Sequence, residues 1–287
     1  MGHWTLDDIP WDQFDRSKLD PEMVKIAKAA CMVEHHSADY GKYLCGVFHD
    51  DPGFCADALA WAEEEVQHGA ALRHYAELAD PTFDFDATFA RFVEGHPIDI
   101  EASESIRGSR CAELVARCIV EVGTSSYYSA LRDSAEEPVF KAICKRIAGD
   151  EFRHYKLFYT NMKRYRDIEG VGRLARAKVA LGRLFESSDD ELSYAYHCGA
   201  GEPDPYVRRR AIRAYAARTL PLYRRDHVQR GVGMTLKAIG IKAQSRLGKL
   251  IAALAWRGLR LYVRRLARAR ARETAGTLQP PLRRAPA

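Results

Sequence analysis

Glu65-Val66-Gln67-His68 and Glu151-Phe152-Arg153-His154 are two copies of one short pattern, Glu-x-x-His, in a chain of 287 residues. Residues three apart share a helix face, so each copy can turn a carboxylate and an imidazole toward one point. Gly and Pro are scarce inside the long stretches that carry both copies, and no segment of the chain shows convincing strand alternation. Both copies therefore read as parts of long helices.

Working outward, Asp20-Pro21-Glu22 is a helix start, with Asp as N-cap and Pro at the first helical position. A first helix is predicted from there to about Phe48, carrying Glu34. Asp51-Pro52-Gly53 makes a turn, and a second helix from about Phe54 to Ala79 carries the first Glu-x-x-His. Asp80 to Ser105, with Pro81, Gly95 and Pro97, reads as the long connection a bundle needs to cross from one helix pair to the other. A third helix, about Ile106 to Asp133, carries Glu121. Glu136-Glu137-Pro138 opens a fourth, which reaches about Arg166 and carries the second copy.

The order Glu34, Glu65 with His68, Glu121, Glu151 with His154 is the inward-facing donor set of a two-metal carboxylate bundle. Carboxylate and imidazole suit both ferrous and ferric iron. Two metal ions within about 4 Å of each other are expected. A pair of irons is the first choice, with Mn/Fe served by the same ligand types. Without metal, four carboxylates in a bundle interior would repel and take up protons. Surface glutamates on amphipathic helices are the bland alternative. Gly69, Ala70 and Ala71 beside His68, and Cys118, Val120 and Gly123 around Glu121, do not look like an exposed face. Glu113 competes with Glu121 from two turns earlier; Glu121 is preferred for its mid-helix place. His35, His36 and Asp39 are neighbours of Glu34, and one or both of the histidines read as surface or supporting groups rather than ligands. Cys118 and the tyrosines 127, 128, 155 and 159 read first as core, with electron supply or a channel lining as the tyrosines' alternative.

The expected fold is all-α: a ferritin-like four-helix bundle with a long crossover, plus additional C-terminal helices. Residues 1–170 form the bundle with an N-terminal arm carrying Trp4, Ile9, Trp11 and Phe14, and 171–287 form an extension. In that extension short helices are expected near 171–185 and 189–197, then a break at 201–205. A basic helix to about Gln229 and a glycine-interrupted segment follow, before an amphipathic helix over about 244–272. Residues from Leu278 onward are expected to be disordered. On the last helix Arg246, Lys249, Arg257, Arg260, Arg264 and Arg268 fall on one side. Leu247, Ile251, Leu254, Leu259, Tyr262, Val263 and Leu266 spread over the other.

Composition, 47% hydrophobic and 29% charged, is that of a globular protein. The net charge of +5 conceals a split. From 203 to the end 21 bases face three acids, whereas the preceding residues hold 23 bases and 36 acids. The acidic, aromatic first residues are expected to be no signal or transit peptide. No apolar run approaches the roughly 20 residues of a membrane span. Seven cysteines with no Cys-x-x-Cys read as reduced thiols of a cytoplasmic protein.

The stretch Trp61-Ala62-Glu63-Glu64-Glu65-Val66-Gln67-His68-Gly69 resembles the tryptophan-containing Glu-Glu-x-x-His-Gly helix of the soluble acyl-carrier-protein desaturases, a family of the ferritin-like di-iron carboxylate superfamily. Ala148-Gly149-Asp150-Glu151-Phe152-Arg153-His154 is similar to their Asp-Glu-x-x-His helix. The resemblance covers about 20–165. It implies that Asp150 hydrogen-bonds a ligand histidine and that Thr124 lies beside the oxygen-binding face. The ligand spacings also resemble those of the aldehyde-deformylating oxygenases. The first motif reads Glu-Val-Gln-His where the desaturases have Glu-Asn-Arg-His. Leu72 stands where ribonucleotide reductase small subunits place a radical tyrosine. The Cys-x-x-Cys module of rubrerythrins is absent, and bacterioferritins lack a crossover like 80–105 or a comparable basic tail.

The resemblance implies a di-iron enzyme that activates O2 to oxidise an organic substrate, with a fatty acyl chain as the substrate class the motifs suggest. No flavin, haem or iron–sulfur motif is present, so an external electron donor, a ferredoxin or a flavin reductase, is expected. The basic helix is expected to meet an acyl carrier protein or an anionic membrane, which would make the protein peripheral to the membrane. A homodimer is the expected assembly. Alternatives are an iron-oxidising or peroxide-scavenging protein without organic substrate, and a membrane- or acidic-partner-binding helical module.

Overall fold

A computed structural model describes residues 4–186, 191–201 and 205–277, and side chains within 4–184, 191–201 and 205–271. Among them are ten α-helices and no strand, which makes the chain all-α. The helices are α1 (Pro21–Val47), α2 (Pro52–Ala79), α3 (Phe85–Gly95), α4 (Arg110–Ser134), α5 (Pro138–Glu169), α6 (Arg173–Glu186), α7 (Glu191–Gly199), α8 (Arg208–Thr219), α9 (Arg225–Ile239) and α10 (Arg246–Thr277). The expected end from Leu278 lies outside the described residues, as does most of the expected break at 201–205.

Local chemistry sets the helix starts. Asp20 and Asp51 accept from backbone N–H groups in the first turns of α1 and α2, each with Pro at the opening position. Ser109 caps α4 and Glu137 caps α5 in the same way. The third helix therefore starts four residues later than the sequence reading placed it.

α1 packs along α2 and α4 along α5, and the two hairpins face each other. End-to-end contacts fix their directions. Arg110 donates to the Val47 carbonyl (2.9 Å), so the start of α4 lies at the finish of α1. Tyr165, near the finish of α5, donates to Asp51 at the start of α2 (2.7 Å). Glu169 accepts from the N–H groups of Arg110 and Cys111. α2 and α4 consequently run the same way, and the connection between them must return along the whole bundle. At about 1.5 Å per residue the 28-residue α2 is about 42 Å long. The crossover is not all loop: it contains α3, whose Phe85 and Phe92 are buried.

Two apolar clusters fill the bundle, one toward each end. Ile26, Tyr75, Leu131 and Phe140 belong to the first; Phe48, Trp61, Leu114 and Phe158 belong to the second. Where they meet, at the middle of all four long helices, lies a band of buried polar residues.

The later helices clothe this bundle. α7 packs on α1, while α6 and α9 pack on α4. The basic segment expected as one helix is two, since Pro221 in the turn Leu220–Leu222 divides α8 from α9. Of the glycines expected to interrupt the chain, Gly231 and Gly233 lie inside α9, whereas Gly240, in the left-handed region, ends it. A Cβ at Gly231 would stand 3.0 Å from Ser126 Oγ and 3.4 Å from Val122, so its absence permits the close crossing on α4. The N-terminal arm runs across the bundle, burying Ile9 and setting Trp11 edge-on to His74.

Candidate metal centre

The structure brings Glu34, Glu65, His68, Glu121, Glu151 and His154 together in the polar band, none more than 5% exposed. Their donor atoms form two groups. Glu34, Glu65, His68 and Glu151 make one; Glu65, Glu121, Glu151 and His154 make the other, with the atoms of each group within 4.8 Å of one another. Glu65 and Glu151 belong to both. The two oxygens of Glu65 face different histidines: Oε2 is 3.1 Å from His68 Nδ1 and Oε1 is 3.0 Å from His154 Nδ1. Each imidazole therefore aims Nδ1 inward.

The outward nitrogens are held across the interface between hairpins. His68 Nε2, on α2, donates to Asp150 Oδ2 on α5 (2.9 Å), and His154 Nε2, on α5, donates to Glu64 Oε2 on α2 (3.0 Å). The acid just before each Glu-x-x-His thus orients the histidine of the other copy. Such bonds fix ring orientation and tautomer. Arg153 ties the arrangement together, donating to Asp150 and to Glu64 (2.8 Å). Trp4 of the arm donates to Asp150 (2.6 Å), and its ring stacks on His68 at 5.8 Å. Thr124 donates to Glu151 and Tyr128 to Glu34.

Electrostatics follow from burial and crowding. Burial and the neighbouring Glu65 hold Glu34 well above the usual carboxylate range; burial and Glu151 do the same for Glu121. Burial and Glu65 push Glu151 up to about 7. Burial opposes ionisation of Glu65 too, but contacts with His154 and His68 outweigh it and hold Glu65 well below its ordinary value. For His68, burial is outweighed by Asp150 and Glu65, which raise it to about 9. For His154, Glu65 and Glu64 overcome burial in the same sense.

Four carboxylates and two inward-facing imidazoles could hold metal ions, and their unmet hydrogen bonds fit that use. Both oxygens of Glu121, and Oε1 of Glu151, are buried without a hydrogen-bond partner. Buried polar atoms are rarely left so, and a cation satisfies an acceptor that no donor reaches.

The neighbours that competed in sequence lie elsewhere. Glu113 accepts from Tyr43 (3.0 Å) and Ser105 (2.8 Å) and lies 3.5 Å from Arg117 Nε. His35 meets the Cys31 carbonyl (2.8 Å) and fills the space opposite Gly69, where a Cβ would collide with its ring. His36 is not a surface group: it is buried beside Phe92 and Tyr40. Cys118 is a buried core thiol, raised well above its ordinary value by burial, then by Glu121. All seven cysteines are free. Of the four tyrosines considered, Tyr128 touches a site carboxylate, whereas Tyr155 donates to the Met234 carbonyl (2.8 Å). Sequence reasoning assigned Glu64 and Arg153 no role at the centre, and placed Trp4 only in the N-terminal arm. The signal for Glu64 was present, since an acid precedes the motif in both copies.

A further grouping, Asp133, Asp226 and His227, pins α9 to the end of α4: His227 Nε2 donates to Asp133 Oδ2 (2.9 Å). Arg132 donates to the same carboxylate (2.7 Å) and supplies its counter-charge. No family model matches the chain, and no curated protein matches it.

Proposed function

We propose that the chain is a ferritin-like di-metal oxidase that activates dioxygen to oxidise an organic substrate, with iron as the metal. The observation that carries this reading is the pair of donor groups sharing Glu65 and Glu151. Two groups with two carboxylates in common suit two adjacent cations better than one. The parallel run of α2 and α4, joined by a crossover along the bundle, supports the ferritin-like comparison. Glu34, His68 and the shared carboxylates would hold one ion, and Glu121, His154 and the shared carboxylates the other.

Iron bound there supplies the redox chemistry by which dioxygen is reduced and a substrate bond oxidised. The chain's own residues prepare the site. Asp150 and Glu64 keep protons on the outer nitrogens, leaving the Nδ1 lone pairs for metal. Tyr128 and Thr124 steady Glu34 and Glu151 by donating to them. Burial keeps water from competing. The electrons come from outside the chain, from a ferredoxin or flavin reductase, and a fatty acyl chain is the leading substrate class on the likeness of the motifs to the desaturases.

Anaerobic loading with ferrous iron should give close to two irons per chain, and Glu65→Ala with Glu151→Ala should abolish it. Two irons retained in that double variant would sink the assignment. Oxygen uptake by the loaded protein should then be measured with a reductant, with and without acyl substrates. Substrate-dependent uptake with an oxidised organic product is expected. Uptake that tracks added ferrous iron alone would replace the oxidase reading with iron handling.

A further inference from the structure

α10 carries apolar residues on two different sides, and only one of them is covered. At about 100° per residue, Leu259, Val263 and Leu266 share one face. Leu266 is buried and, with Val263, lines a cavity that Ala217 of α8 and Pro221 border from the other side. Ile251 packs on the second apolar cluster, and the helix lies chiefly along α9. This is the attachment expected of a helix with one apolar face. A second row, Leu247, Leu250, Leu254 and Leu261, remains open, each leucine 54–55% exposed. It runs for about 21 Å, at 1.5 Å per residue. Around the helix, between this row and the packed face, lie Arg246, Lys249, Arg257, Arg260 and Arg264, all exposed. Between Arg246 and Ala271 there are eight lysines and arginines and no acid.

The covered face accounts for the docking of α10 and leaves the leucine row without a purpose inside the protein. Contiguous exposed apolar rows mark interaction surfaces. A second copy of the chain is a poor occupant. The seven-residue spacing of Leu247, Leu254 and Leu261 would suit helix pairing, but the flanking positions would set cation against cation. A bare polyanion would engage the arginines and leave the leucines in water. An anionic bilayer satisfies both rows, taking leucines into the acyl boundary while bases lie over the headgroup phosphates.

We propose that α10 seats the protein on an anionic lipid surface, with the leucine row inserted and the neighbouring basic row on the phosphates. Among the described residues no helix is long and apolar enough to cross a membrane, so the contact is with one leaflet. This inference stands apart from the metal reading and does not depend on it.

The test uses the full chain and sedimentation with vesicles of phosphatidylcholine alone or mixed with phosphatidylglycerol. Binding is expected to the mixed vesicles only, and should weaken with salt as headgroup attraction is screened. Leu250→Gln with Leu254→Gln should lower partitioning on the order of tenfold or more, through lost apolar burial. Both leucines are exposed, so helix content and melting should not change. Arg257→Glu with Arg260→Glu should abolish binding by reversing charge. Absence of binding to the mixed vesicles would overturn the proposal. Wild-type binding by the leucine variant would overturn it too, and competition by soluble polyglutamate would then point to an acidic protein. If the leucine substitutions instead convert a dimer to a monomer, the row joins two copies and the lipid assignment falls.

Discussion

Glu113 and Glu121 are two glutamates on one helix, eight residues apart and both buried, at 2% and 1% exposure. Tyr43 and Ser105 donate to Glu113, and Arg117 balances its charge. Glu121 faces Glu151 and His154, and neither of its oxygens has a hydrogen-bond partner. Burial alone does not separate a structural acid from a ligand. Satisfaction does: the first glutamate has found its partners within the protein, and the second has carboxylates for neighbours.

The largest expected effect comes from removing each in turn. Glu113→Ala should leave Arg117 as a buried charge without its partner and destabilise the fold by about 3 kcal/mol, the scale for breaking a buried pair. Iron binding should persist. Glu121→Ala should do the reverse, costing at least one of the two irons while leaving the metal-free protein as stable as before or more so. Denaturant melts of metal-free protein together with iron analysis would decide. A pair of variants that behave alike would erase the distinction.

A smaller effect is expected at the acids that orient the histidines. Asp150→Asn should weaken metal affinity on the order of 10–100-fold without unfolding the chain. Glu64→Gln should fall in the same range, because it does for His154 what Asp150 does for His68. Wild-type affinity in both variants would reduce these acids to ordinary polar contacts.

The smallest effect is the dependence on pH. Glu34, Glu121, Glu151 and both histidines have folded values above their ordinary ones, so the metal-free centre carries protons that metal must displace. Groups raised in the folded state contribute stability that is lost as pH rises through their folded values. Metal-free protein should thus weaken as pH rises from 4.5 to about 7, the span set by Glu151, and on from 6.5 to about 9, the span set by His68. Glu65, lowered by its histidines, acts in the opposite sense and only at the acid end. Over the same rise, metal binding should tighten. Calorimetry in two buffers of different protonation enthalpy should register proton release; zero release would mean that the carboxylates of the centre are already ionised.

Glu65, His68, Glu151 and His154 were legible in the sequence because a three-residue step on a helix fixes relative direction without any tertiary contact. Glu34 and Glu121 rested only on their places along their helices. The cap Asp20 and the all-helical class were legible because they too depend on neighbours in the chain. Asp51, expected in a turn before a helix from about Phe54, instead caps α2, which starts at Pro52. The pairing of Glu64 with His154 was not, although the acid was in plain view, because it spans two helices whose register only packing sets. Likewise Gly231 read as a helix breaker until Val122 and Ser126 of α4 stood against it, where a missing Cβ favours the crossing.

Local spacing and composition by themselves determined which residues form helices, which side chains share a face, and that the last helix is basic and apolar. Tertiary structure alone decided that Glu65 and Glu151 belong to both donor groups, that Glu113 is satisfied while Glu121 is not, and which leucines of α10 remain exposed. The physical reason is common to all three. Periodicity fixes the direction of a side chain about its own helix axis, but a hydrogen-bond partner, a counter-charge or a covering surface comes from another helix, and only folding brings it near.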